Sequence, residues 1–118
     1  RRTSQKTERD QPSALHLGEL VIDFAAHEAT LRGEVVHLTP KEFKLLETMA
    51  REPGRAFSRS ELVTLVFGID YEGFERTIDV HLINLRKKIE PLPDQPIYLQ
   101  TVYGVGYKLR KEKAYESS

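Results

Sequence analysis

The stretch ERTIDVHLINLRKK, residues 75–88, reads as a helix with two apolar sets. Ile78, Leu82, Leu85 and then Ile89 recur at steps of four, three and four, the rhythm of one buried helical stripe. Laid out at ~100° per residue, these four cluster within roughly 60° of one another. Arg76, Val80, Ile83, Asn84 and Lys87 centre on the opposite side, with Thr77, His81, Arg86 and Lys88 on the flanks. A solvated helix face does not need two branched aliphatics between basic residues. What Val80 and Ile83 touch is the question that organises the rest of the chain.

The chain has 118 residues, enough for one domain with a modest core. Hydrophobic residues make up 39% and charged residues 31%, which is too apolar for a disordered chain. No apolar run is long enough to span a membrane. The opening RRTSQKTERDQPS has a charged start with no apolar stretch behind it, so no secretory leader is read. The chain does not begin with Met, as expected of a fragment or a processed form. Cysteine is absent, which fits a reducing compartment. The net charge is zero, but it is segregated. Residues 15–75 hold 6 Lys+Arg against 11 Asp+Glu, whereas residues 76–113 hold 8 against 4. A basic half of this kind invites a polyanionic partner; chance clustering is the bland alternative.

Around this helix the sequence predicts a sheet, two further helices and a hairpin. Residues 1–14 are polar and read as a linker or arm. LHLGELVIDF, EATLRG and EVVHLT alternate apolar and polar residues, with breaks near Ala26–His27 and Gly33–Glu34, as short antiparallel strands do. At TPKEFKLLETMAREPG the period changes. Thr39 is an N-cap, Pro40 stands at the first helical position and Glu42 completes a capping box. Phe43, Leu46 and Ala50, flanked by Met49, form its stripe, and Pro53–Gly54 stops it. In SRSELVTLVFG the capping box is Ser58 and Glu61, the stripe Leu62, Leu65 and Val66, and the stop Gly68. Pro91 and Pro93 end the helix of residues 75–89. IYLQTV and YKLR then flank YGVG as a hairpin, with Gly104 and Gly106 supplying turn geometry. Residues 15–110 form the domain, and 111–118 a tail.

The third helix and the hairpin carry the functional reading. Arg and Lys neutralise phosphates, Asn pairs with adenine, and aliphatic side chains contact thymine methyls, so this mixture suits a helix in a DNA major groove. Packing of Val80 and Ile83 under a loop or in a protein interface is the competing account. The hairpin adds Lys108, Arg110, Lys111 and Lys113, with Tyr103 and Tyr107 near its turn. It can lie along a groove or backbone beside the helix, although hairpin tyrosines also serve as cross-strand packing partners. Enzyme readings find no support. His16, His27, His37 and His81 lack metal-ligand spacing, no G-x-S-x-G elbow exists, and Glu72 and Glu75 lie in a short loop. No catalytic residue, metal ligand or cofactor is expected.

The motifs LTPKEFKLLETM, FSRSELVTLVFG, RTIDVHLINLRKKIEP and TVYGVGYKL, in this order and spacing, resemble the C-terminal effector domain of OmpR/PhoB-type response regulators. The resemblance covers about Leu15 to Leu109. It implies an α+β winged helix-turn-helix with a four-stranded N-terminal antiparallel sheet, three helices and a C-terminal hairpin wing. It implies a recognition helix at residues 75–89, with Arg76, His81, Arg86, Thr101 and Tyr107 at positions that hold the DNA backbone. Phe67 stands near the backbone at the end of the second helix, and Lys87 joins this set from the outward helix face. Val80, Ile83 and Asn84 match base-facing positions, and Tyr103 occupies a wing position for base contact. Ile83, Asn84 and Tyr103 replace arginines found in several members.

The loop Gly68, Ile69, Asp70, Tyr71, Glu72, Gly73 and Phe74 corresponds to a segment that contacts RNA polymerase. The implied partners are double-stranded DNA, RNA polymerase, a second copy of the chain on tandem direct repeats, and the receiver domain and sensor kinase of a longer protein. No membrane is expected among them, and the implied location is the bacterial cytoplasm, on the nucleoid when DNA-bound. The alternative function is a winged-helix protein–protein module without DNA specificity of its own, which the acidic residues 15–75 would suit.

Overall fold

Two capping boxes fix where the first two helices begin. In α1 (Pro40–Ala50) the Thr39 hydroxyl accepts from the Glu42 amide at 3.2 Å, and the Glu42 carboxylate accepts from the Thr39 amide at 3.0 Å. In α2 (Arg59–Phe67) Ser58 and Glu61 repeat the exchange at 3.0 and 2.9 Å. The third helix, α3 (Arg76–Ile89), begins at Glu75 with no side-chain cap. These helices belong to a computed structural model that describes residues 13–69, 71, 73 and 75–111. Most of the expected arm and nearly all of the expected tail lie outside those residues.

Four strands precede the helices: β1 (Ala14–Leu17), β2 (Leu20–Asp23), β3 (Glu28–Leu31) and β4 (Glu34–Val36), antiparallel in that order. The segment LHLGELVIDF is a hairpin, not one strand. Gly18 sits at φ +56°, a left-handed conformation that glycine adopts without a Cβ penalty, and pairing runs from Leu17↔Leu20 to Ala14↔Asp23. After α3 come β6 (Leu99–Val102) and β7 (Gly106–Leu109), the expected hairpin. Its sheet has a third member that the sequence reading lacked. The two-residue strand β5 (Phe57–Ser58) pairs with β7, Phe57↔Tyr107 and Ser58↔Gly106, and so joins the wing to the start of α2. Gly106 therefore serves close approach: a Cβ there would overlap the Phe57 carbonyl oxygen. Gly104, at φ +80°, provides the turn.

One core lies between the N-terminal sheet, the helices and the wing. Leu17, Leu20, Ile22 and Ala29 enter from the sheet; Phe43, Leu45, Leu46 and Met49 from α1; Leu62 and Val66 from α2; Ile78, Leu82, Leu85 and Ile89 from α3. Phe57, Leu99 and Leu109 close it from the wing. The stripe expected on α2 needs one correction. Leu65 is 46% exposed, and Val63 packs against the core instead. Among the described residues no helix is long and apolar enough to cross a membrane.

Candidate nucleic-acid interface

The buried stripe of α3 fixes the rotation of the helix. With Ile78, Leu82, Leu85 and Ile89 all in the core, the opposite face must look outward. Val80 is 56% and Ile83 52% exposed, with Arg76 and Lys87 exposed beside them and Asn84 half-buried at the margin. Both aliphatics therefore project from the fold, with about half of each left uncovered. Arg86, Lys87 and Lys88 in the last turn also suit the negative end of the helix dipole.

The two flanks of α3 are tied to different neighbours. On one flank, Asp79 Oδ2 accepts from Arg59 Nη2 of α2 at 2.8 Å, and Asp79 Oδ1 accepts from the Tyr107 hydroxyl of β7 at 2.8 Å. Two turns later on that flank, Arg86 donates through Nε and Nη2 to the Leu99 carbonyl at 3.0 and 2.8 Å. Its Nη2 also reaches the Thr101 hydroxyl at 2.9 Å. Burial, and then the hydrogen bond to Asp79, push the Tyr107 phenol above its usual pKa. On the other flank, Lys88 Nζ donates to Glu42 Oε1 at 2.6 Å. Burial pushes the Glu42 carboxyl up, but Lys88 and the Thr39 amide together outweigh it and leave its pKa below the ordinary value.

His81, also on the second flank, meets Phe67 with ring centroids 5.4 Å apart. Phe67 stacks on Tyr71 at 4.6 Å, and Lys41 Nζ lies 5.0 Å from the Phe67 centroid. Of the candidate polymerase loop, Gly68, Ile69, Tyr71 and Gly73 are exposed. Asp70, Glu72 and Phe74 lie outside the described residues.

In the wing, Tyr103 stands at the turn and is 92% exposed, with Val105 beside it. Thr101 is exposed and Tyr107 half-buried. A cleft of about 400 Å³ separates the wing turn from the start of α2; Arg59, Glu75, Thr101, Tyr103 and Tyr107 are among its lining residues. The wing is held at its base by Glu90, whose buried carboxylate accepts from the backbone amides of Ile97, Tyr98 and Leu99 at 2.7, 3.0 and 2.8 Å.

The structure thus places Arg76, Lys87, Val80, Ile83 and Asn84 on or beside one outward face, and brings Arg86, Thr101 and Tyr107 together at the junction of helix and wing. Phe67 and His81 sit together on the opposite flank. Sequence reasoning missed Asp79, Arg59 and Glu90. Asp79 and Arg59 are separated by 20 positions, so no local spacing links them. Glu90 followed by Pro91 looks like an ordinary helix end.

A three-helix domain with an N-terminal sheet, an outward-facing third helix and a hairpin against its flank is a winged helix. Residues 33–109 match the family described as "Transcriptional regulatory protein, C terminal". The chain belongs to that family, and its relatives place it among the winged-helix effector domains of OmpR/PhoB-type response regulators. It is 42% identical over 105 residues to the transcriptional regulatory protein AfsQ1 of Streptomyces coelicolor, covering 89% of this chain and 47% of that protein. The chain spans about half the length of the curated relatives it matches. Among solved structures it resembles the response regulator DrrB of Thermotoga maritima, an OmpR/PhoB homologue, with a TM-score of 0.82 and 30% identity over 93% of this chain and 50% of that one. It also resembles the DNA-binding domain of Klebsiella pneumoniae RstA, solved in complex with the RstA box. There the TM-score is 0.74 and the identity 30%, over 84% of this chain and 98% of that one.

Proposed function

We propose that this domain binds double-stranded DNA sequence-specifically, with α3 in the major groove and the wing on flanking DNA. The observation that carries the reading is the outward face of α3: Val80 and Ile83 are half-exposed between Arg76 and Lys87, with the core stripe wholly on the other side. Aliphatic side chains there suit thymine methyls, Asn84 suits adenine, and the two cations suit phosphates. Arg76, His81, Arg86, Lys87, Thr101, Tyr107 and Phe67 hold the backbone, and Arg86 also braces Thr101. Tyr103 reaches bases from the wing. Similarity to the RstA domain, solved with its own DNA box, supports this reading.

The longer protein is a two-component transcriptional regulator of the bacterial cytoplasm. Its receiver, phosphorylated by a sensor kinase, pairs two copies on tandem direct repeats, and residues 68–74 meet RNA polymerase. Residues 15–110 are the DNA-binding unit, between an arm and a tail. The domain performs no catalysis.

Selection of the chain against a random duplex pool at low salt, followed by sequencing, tests the proposal. Enrichment of a direct repeat with thymines in each half-site is the expected result. Retention of DNA without enrichment would refute base reading by Val80 and Ile83, and no retention would favour a protein-interaction module.

A further inference from the structure

We propose that Asp79 is a positioning residue for DNA reading: it touches no DNA, and it fixes the wing and α2 relative to α3 so that both readers meet one duplex in register. The inference rests on the DNA-reading function proposed above. A single carboxylate joins three elements here. Oδ1 takes the Tyr107 hydroxyl from the wing and Oδ2 takes Arg59 from α2, each at 2.8 Å. Arg59 depends on this contact, since its Nε is buried without a hydrogen-bond partner among the described residues. Arg86, on the same flank two turns on, supplies a second tie to the wing through Leu99 and Thr101. One tie would leave the wing free to pivot about it; two ties spaced along the helix set an angle.

Electrostatics sharpens the inference, because an acid beside a DNA-facing surface repels phosphate. If Asp79 did nothing else, removing its charge would tighten binding to every duplex. A positioning role predicts the opposite sign on the preferred site, where geometry matters, and not on random DNA, where it does not. The side chains of Arg59 and Asp79 are 40% and 34% exposed, so solvent screening keeps the contribution of their ion pair to folding small.

The test compares the wild-type chain, Asp79→Asn, Arg59→Gln and the double variant. Affinity is measured by competition at one salt concentration, on the duplex enriched by selection and on a scrambled duplex. Asp79→Asn is expected to lose about tenfold on the preferred duplex, the scale of one lost base contact, and to bind the scrambled duplex as tightly as wild type or more so. Arg59→Gln lowers the ratio of the two affinities in the same direction, and the double variant lowers it no further than Asp79→Asn alone. Equal tightening on both duplexes by Asp79→Asn, or losses of discrimination that add in the double variant, would overturn the proposal. A wild-type chain that prefers no duplex would refute the DNA-reading function, and this inference with it. A wild-type preference that both single variants retain would refute the positioning role alone.

Discussion

Ile83→Ala separates a DNA reader from a packing residue by producing effects of opposite sign. Ile83 is 52% exposed in the free domain, so about half of its side chain is available for a thymine methyl to cover. Truncation removes the branched carbons beyond Cβ. At ~0.8 kcal/mol per fully buried carbon, and with about half of that burial arising on DNA, the loss is roughly 1 kcal/mol, or about fivefold in Kd. The free domain behaves differently. Alanine is the better helix former by a few tenths of a kcal/mol at an exposed position, so the folded state is unchanged or slightly stabilised. Binding isotherms on the selected duplex and on a scrambled one, together with a thermal melt, measure both quantities. The expected outcome is a fivefold loss on the selected duplex, little change on the scrambled duplex and a Tm that does not fall. Equal losses on both duplexes, or a Tm lower by several degrees, would show that Ile83 supports structure and would refute the assignment of the outward face.

Glu90→Ala is expected to destabilise the domain by roughly 3 kcal/mol, because three backbone amides lose a charged acceptor. That is a fall in Tm on the order of 15 °C, and a melt within a few degrees of wild type would show that water replaces the carboxylate. Glu42 predicts a pH dependence. Its carboxyl is depressed in the folded state from an ordinary value of 4.5, so its contribution is present above that value and is lost as pH falls through the lower folded value. Urea unfolding of wild type and Glu42→Gln between pH 7 and 3 should converge in the acid range as wild type loses the difference; a gap that stays constant to pH 3 would contradict the depressed pKa.

Helix positions and the outward face of α3 were legible because they depend on short-range rules. A Thr or Ser followed three residues later by Glu provides its own reciprocal hydrogen bonds, and both capping boxes stand where the sequence places them. The four-residue and three-residue steps of α3 leave one way to bury Ile78, Leu82, Leu85 and Ile89, and this alone turns Val80 and Ile83 outward. The motifs likewise implied the winged-helix fold, which the family match and the observed architecture bear out.

What escaped the sequence was decided by contacts between elements. On α2, Val63 and Leu65 lie at nearly equal angles, about 80°, to either side of the Leu62–Val66 midline. Periodicity cannot choose between them; packing against the other helices exposes Leu65 and covers Val63. Strand β5 has two residues, too few for any alternation, and exists only because β7 offers it a partner. Asp79, Arg59 and Tyr107 have no mutual spacing to notice, and they meet because α2, α3 and the wing converge. The sequence by itself determined which face of the helix looks outward, since that follows from the helical repeat. Tertiary structure alone decided how that face is held beside the wing, because hydrogen bonds between distant residues depend on the packed arrangement of the whole domain.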